Sequence, residues 1–449
     1  MNTVNDLADS PIDAHPTKTF FVEMLVRDIA LEQAILDLVD NSVDGAKRFA
    51  DDSMSKDAYA GRSIEINFDR EAFSIVDNCG GFDRNTARDY AFRFGRMAGA
   101  TNIPHSIGQF GVGMKRALFK FGRHFRVASA TGAEAWAVDV NVTSWETTND
   151  WYFPWTEVAE RDGISNHRPG TSIHVTNLRP EVATRFSEAS FAKQILILIA
   201  SKHRHFISKG LSITVNGSHA NATELNVLRG KNLGPGIESF AFAEDDIKVD
   251  VKIVVGVGDS SPKLAGWYVI CNGRAILEAD RRKVTGWGVA EINNIAIPSF
   301  HNQFARFRGI VYFDSQDSSR VPWNTTKTDV DQDSPVWRAA FERMTQLMRP
   351  VIDFLNELDA DIDIHGADKS PMMRVVKAAS LESVDVQVEE VSFVAPVRDT
   401  NLQIDKLVRI QYSKPRSQIE YLQEALSLKT ATAVGEYCFD TAYAEQGGT

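Results

Sequence analysis

The chain has 449 residues, enough for two or three domains. Its 43% apolar and 24% charged residues are ordinary for a soluble globular protein, and a net charge of −11 excludes a generally basic coat for nucleic acid, leaving only local basic patches open. Cys79, Cys271 and Cys438 lie far apart and form no CxxC, which leaves neither a zinc-site spacing nor a disulfide framework and fits a reducing cytosol. The opening MNTVNDLADSPID lacks the basic-then-apolar layout of a signal peptide, and the longest strongly apolar run, Ile195 to Ala200, is far too short to span a bilayer. A cytoplasmic protein with no membrane partner is expected.

Residues 1–20 read as a polar arm. The stretch Ala30 to Phe49 then shows helical periodicity, with Leu31, Ala34, Ile35, Leu38, Val39, Val43 and Ala46 on one side. Asp37 and Asn41 are four residues apart and so share a face, with Asp44 one turn on. A carboxylate there suits holding and deprotonating a water, and an amide oxygen suits a hard cation such as magnesium. Taken alone, the pair reads equally well as a polar helix face. Residues 51–61 read as a loop. Ser63 to Phe68 and Ala72 to Val76 read as strands, the second running into Asp77-Asn78-Cys79-Gly80-Gly81-Phe82. A carboxylate at a strand end beside glycines can accept a hydrogen bond from an exocyclic amine while the chain approaches a flat ring. It is also an ordinary turn sequence. A small-residue loop, Gly95 to Ser106, leads to Gly108-Gln109-Phe110-Gly111-Val112-Gly113-Met114-Lys115, which opens another helix. Glycines at a helix start suit a phosphate cradle. Gly170-Thr171 begins a further strand, Ser172 to Val175.

This ordered set resembles the GHKL ATPases, which include the MutL mismatch-repair proteins, the large ATP-driven heat-shock chaperones, the MORC proteins, the type II topoisomerases and the sensor histidine kinases. The likeness covers roughly the first half of the chain. GQFGVG is most similar to the chaperones, and GMKRALFKFG to MORC. The resemblance implies an α+β fold: a Bergerat-type ATP-binding sandwich over 21–220, behind an N-terminal arm that often reaches to a partner. It implies ATP and Mg²⁺ as cofactors, with Asn41 as the magnesium ligand and Asp37 as the water-positioning carboxylate. Asp77 and Gly81 would hold the adenine, with Thr171 in its water network. Gly108, Gln109, Phe110, Gly111, Val112, Gly113, Met114 and Lys115 would form the ATP lid and phosphate loop. Two positions depart from the family pattern. Asp37 stands where efficient hydrolases carry Glu, so slow turnover is expected. Cys79 stands at the first motif glycine. Glu32, five residues before Asp37, lies about 140° round the helix and is a poor substitute.

Residues 187–210 read as one helix, and its His203-Arg204-His205 as packing rather than metal ligation. Ser212 to Val215 and Asn216-Gly217 read as a hairpin. Lys120, Arg123 and Arg126 read as surface charges. Residues 221–358 read as a second α+β unit with strands at Val249 to Val257, Trp267 to Cys271 and Ile310 to Phe313, and a helix from Pro335 to Leu358. The layout resembles the transducer domain of MutL, MORC and the topoisomerases. It makes Lys327 the candidate for the lysine that reaches back to the γ-phosphate, against the plainer reading of a lysine in a turn. Residues 359–449 read as a linker through about 380, an added strand within 382–397, a helix over 416–430 and a polar tail.

The reading is an ATPase whose Mg-ATP binding closes the lid and joins two copies into a homodimer. Two settings stay open. One is a DNA transaction or an antiviral defence system, with Arg281-Arg282-Lys283 and Ala305-Arg306-Phe307-Arg308 facing DNA. The other is chaperone-like protein assembly without nucleic acid.

Overall fold

The structure, a computed structural model, describes residues 16–50, 55–93, 105–108, 113–244, 247–289, 295–384, 389–398 and 410–446. Two sheets organise it. The first half runs α1 (Lys18–Arg27), α2 (Leu31–Lys47), β1 (Ser63–Phe68), β2 (Ala72–Asp77), α3 (Arg84–Thr86), α4 (Gly113–Phe121), β3 (Gly122–Ala130), β4 (Ala135–Asn141), α5 (Val142–Glu146), β5 (Trp155–Thr156), β6 (Gly170–Leu178), α6 (Pro180–Phe186), α7 (Ala189–Lys202), α8 (Arg204–Ile207), β7 (Ser212–Val215) and β8 (Ser218–His219). A π-helical turn, Ala87–Ala91, extends α3. The eight strands lie in the order β5-β4-β3-β6-β2-β1-β7-β8.

Period-two alternation decides what each strand presents. In β1 the buried residues are Ile64, Ile66 and Phe68; in β2 they are Phe73, Ile75 and Asp77. Asp77 therefore occupies the third core-facing slot of an otherwise apolar strand face. Beneath the helices Phe68, Phe73, Phe121, Phe186 and Phe191 meet ring to ring. Each such ring contributes roughly 1.5–3 kcal/mol on burial.

The second half runs β9 (Asn226–Arg229), β10 (Gly236–Glu244), β11 (Ile247–Val257), β12 (Gly266–Cys271), β13 (Arg274–Asp280), β14 (Phe307–Ser315), α9 (Pro335–His365), α10 (Pro371–Ala378), β15 (Ser380–Ser383), α11 (Arg416–Ala425) and α12 (Ala431–Glu445). Its sheet has the order β10-β11-β14-β12-β13, and β15 pairs with β9. Met344, Met348, Val351 and Leu355 on α9 are buried in the common core. The β12–β13 hairpin turns on Asn272 and Gly273, both at positive φ (48° and 85°). That tight turn sets Arg274 at the very start of β13.

The α+β expectation holds. Several local expectations do not. The stretch 187–210 is α7 and α8 with a break at His203, whose backbone leaves helical geometry (φ −109°, ψ 18°). The arm expected over 1–20 is helical from Lys18, whose buried ammonium donates to the Trp145 and Thr148 carbonyls at 2.8 and 2.9 Å; residues 1–15 lie outside the described residues. The linker expected over 359–380 is the end of α9 plus α10. Asp361, buried, accepts from Ser370 Oγ and from the Met372 amide, which ties the two helices together. The expected polar tail is α12. Around 382–397, strand pairing comes from β15 and from the bridges Ile237–Val391 and Gly234–Val394.

Candidate active site

α2 carries five polar side chains within two turns: Asp37, Asp40, Asn41, Ser42 and Asp44. Asn41 is exposed, whereas the three carboxylates are buried. Each carboxylate is stabilised differently. Asp37 Oδ1 accepts from Gln33 Nε2 at 2.9 Å and lies 3.8 Å from Lys327 Nζ. Burial pushes the Asp37 carboxyl above its usual range, against the pull of Lys327. Asp44 accepts from the amides of Ile107 (2.7 Å) and Gly108 (2.7 Å) and lies 3.7 Å from Lys47. Ile107 precedes and Gly108 opens the loop expected to hold phosphate, so Asp44 anchors the start of that loop.

Asp77 is buried under Ser42 of α2. Its Oδ1 accepts from the Cys79 amide (2.9 Å) and the Thr171 amide (3.1 Å), and its Oδ2 from Ser42 Oγ (2.6 Å). Burial pushes this carboxyl up as well. The turn depends on glycine at Gly81, where φ is 61° and an added Cβ would fall 2.2 Å from the Ala130 carbonyl oxygen. Cys79 keeps its backbone in the motif, since its amide serves Asp77 while its side chain is buried. Thr171 takes part through its amide, in strand register with Asp77.

Of the expected lid residues, Gln109, Phe110, Gly111 and Val112 lie outside the described residues. Gly108 and Gly113 flank them and face the α2 polar side chains. A Cβ at Gly108 would fall 3.1 Å from Asn41 Oδ1, and one at Gly113 would fall 3.1 Å from Asp37 Cβ. Met114 is half-buried against the core. Lys115 is buried, and its ammonium donates to the carbonyls of Ala91 (2.8 Å) and Arg93 (2.5 Å) at the end of the helical turn after α3. Desolvation pushes its pKa down to about 8. Its placement corrects the reading of a lysine directed at phosphate: here it ties the start of α4 to the segment before the lid.

The second unit reaches this site. Lys327 sits in the loop after β14, buried, with Nζ 2.8 Å from Asp40 Oδ2. Arg274 Nε donates to Asp40 Oδ1 at 2.7 Å, and His203 Nε2 lies 2.8 Å from the same oxygen. Asp40 is fully buried. Burial opposes its ionisation, but Arg274 and Lys327 prevail and hold the carboxyl well below the usual range. Sequence reasoning gave no role to Asp40 or Arg274, and it read His203 as a packing residue without its Asp40 partner. The one available signal was that Asp40 lies three residues from Asp37 and so shares its helix face. Arg126 also differs from expectation: it is buried and forked onto Asp162 at 2.8 and 2.7 Å.

These residues fit a nucleotide. Asp77 keeps acceptor capacity on Oδ2 for an exocyclic amine, since a carboxylate oxygen takes two donors. The glycines leave room over Asp37 and Asn41 that a side chain would fill. Among the described residues no group of three or more His, Cys, Asp or Glu is set to hold a metal ion. A cation at Asn41 would take most of its shell from water and phosphate, as magnesium commonly does. No helix among the described residues is long and apolar enough to cross a membrane. No curated protein matches the chain. Residues 29–171 match the family described as histidine kinase-, DNA gyrase B-, and HSP90-like ATPase. That segment spans α2, the Asp77 turn, the glycine-rich stretch from Gly108 and the start of β6, and over it the chain is similar to the GHKL ATPases.

Proposed function

We propose that this protein binds Mg-ATP at the α2 face, hydrolyses it slowly, and uses the cycle as a switch. The observation that carries the reading is the convergence of Asp37, Asn41 and Lys327 on one helix face, with Lys327 supplied by the second unit 3.8 Å from Asp37. In this reading residues 21–220 bind the nucleotide and 221–358 sense it. Bound Mg-ATP supplies the phosphoryl group to be transferred and the charge that Asn41 and Lys327 meet. Asp77 fixes the base. Asp37 holds the attacking water and takes its proton. Lys327 offsets charge on the transferred group. The shorter Asp37 side chain makes turnover slow.

A homodimer formed on nucleotide binding completes the switch. Its contact face would include α1, where Phe20 and Met24 are exposed on a helix pinned by Lys18. The DNA setting draws little support from the basic stretches read in the sequence. Arg282 is forked onto Asp329 at 2.7 and 3.1 Å, and Arg308 is buried with its guanidinium on the Ala305, Phe307 and Asp259 carbonyls.

Phosphate release with Mg-ATP and light scattering with a non-hydrolysable analogue test the reading on wild type and Asn41→Ala. Slow turnover and a doubling of mass, both lost in Asn41→Ala, are expected. Absence of nucleotide binding by the wild type would refute the ATPase reading. Unchanged mass with tight binding would refute the dimer switch alone.

A further inference from the structure

The Asp40 cluster does more than join two units. An ordinary lock between domains holds backbone or surface, and its charged tips face each other. Here the cluster grips one residue at both ends. Asp40 Oδ2 takes the Lys327 ammonium at 2.8 Å, and Arg274, itself on Asp40 Oδ1, donates from Nη1 to the Lys327 carbonyl at 3.2 Å. Lys327 is also forced into the left-handed region (φ 54°), at a cost of order 1 kcal/mol for a residue with a Cβ. The loop sustains that conformation through Asn324, whose carbonyl accepts from the Lys327 amide (2.9 Å) and whose Oδ1 accepts from the Thr328 amide (3.0 Å). The result is a buried ammonium aimed at α2. Asp37, 3.8 Å away, is beyond hydrogen-bond distance and does not hold it there.

We propose that Asp40 is a positioning residue that seats the Lys327 ammonium beside Asp37, with Arg274 and His203 fixing the Asp40 carboxylate for that task. Placement of the lysine then precedes nucleotide binding. The site is built with its sensor cation already inserted, and the second unit is held on α2 by the residue next to Asn41. Only the kinetic part of the proposal rests on the ATPase reading.

The test reads Lys327 itself. An amine-acetylating reagent is applied to the full chain without nucleotide, and labelling of each lysine is followed by peptide mass spectrometry. Lys115 is the internal control for folding, because it is also buried and its ammonium donates to the Ala91 carbonyl, which the substitutions leave in place. In wild type both lysines resist. In Asp40→Asn, Lys327 is expected to label roughly tenfold faster or more, with Lys115 still protected, as local opening exposes one and not the other. Asp40→Asn leaves two buried cations short of a carboxylate, so the charge-matched Asp40→Asn/Arg274→Gln is run beside it and decides the matter if the single variant exposes Lys115 too. Lys327 remaining protected in a folded variant overturns the proposal.

Turnover then supplies the second readout. The charge-matched variant is expected to lose kcat as far as Lys327→Met does, with nucleotide affinity within about threefold of wild type. Adding Lys327→Met to it should bring no further loss, because residues acting as a unit are non-additive. A further tenfold loss would mean Asp40 acts apart from Lys327 and would also overturn the proposal. If the wild type turns over no ATP, the ATPase reading falls while the labelling result still decides the placement.

Discussion

Asp77→Asn asks whether the Asp77 turn reads adenine. The structure fixes how the asparagine would sit. Two backbone amides, from Cys79 at 2.9 Å and Thr171 at 3.1 Å, point at Oδ1, so the amide oxygen must take that place. The NH₂ group then replaces Oδ2, and the Ser42 hydroxyl, 2.6 Å away, turns from donor to acceptor. The fold should change little, within about 1 kcal/mol, because the change removes a buried charge that desolvation already disfavours, keeps the Cys79 and Thr171 amides bonded, and leaves the second N–H of the new NH₂ facing the open base site. Recognition should not be indifferent. An acceptor facing the adenine amine becomes a donor facing a donor. Losing a hydrogen bond to a charged acceptor costs about 1.5–3 kcal/mol, or roughly ten- to 150-fold in Kd. The same substitution favours a 6-oxo purine, whose carbonyl accepts from the new NH₂. Calorimetric titration with ATP and with inosine triphosphate measures both. Weaker ATP binding with the preference reversed toward inosine triphosphate is expected, at an unchanged melting temperature. ATP affinity within about threefold of wild type would refute the assignment of Asp77 to the base.

Two further outcomes follow from the α2 face. Asp37 must be ionised to hold and deprotonate water, and burial raises its pKa, so kcat should fall as pH drops through a value above the ordinary carboxylate range of about 4; Lys327→Met removes the ammonium that opposes the rise and should move this acid limb to still higher pH. A limb that moves down, or stays, would exclude Asp37 as the base. Gly113→Ala puts a methyl 3.1–3.3 Å from the Asp37 side chain at the first residue of α4, where alanine favours helix by up to about 1 kcal/mol. Stability should hold or rise slightly while kcat drops several-fold, read by thermal melting beside phosphate release; equal kcat would mean Asp37 position is not critical.

The sequence made the first sheet and its motifs legible because their signals are local. Alternation in β1 and β2, the helical stripe of α2 and the glycines near Gly108 each depend on a few neighbouring residues. The position of Asp77 under Ser42 follows from the same alternation. What stayed hidden depends on long-range partners. Nothing near Arg126 announces Asp162, and nothing near Arg274 or Lys327 announces Asp40, more than 200 residues away. Lys115 was misread for the same reason: a lysine at a helix start looks free for phosphate until the Ala91 and Arg93 carbonyls are brought to it. The segment 359–380 read as a linker because its acidic residues looked solvated, yet Asp361 is buried as the acceptor that joins α9 to α10.

The α2 face also says why the second unit belongs to the site. Three carboxylates buried within two turns of one helix would repel one another and lose hydration. Asp44 is relieved from within the first half, by Lys47 and the amides of Ile107 and Gly108. Asp37 draws on Gln33 but has its nearest cation in Lys327. Asp40 would keep only His203, whose own burial favours the neutral ring, if Arg274 and Lys327 were absent. The family match ends at residue 171, and both of those cations lie beyond it. The matched segment therefore carries the cation that balances Asp44 but not the two that balance Asp37 and Asp40. That dependence joins the two halves: the Asp37 carboxylate lies 3.8 Å from the Lys327 ammonium, and the Lys327 carbonyl accepts from Arg274 at the start of β13.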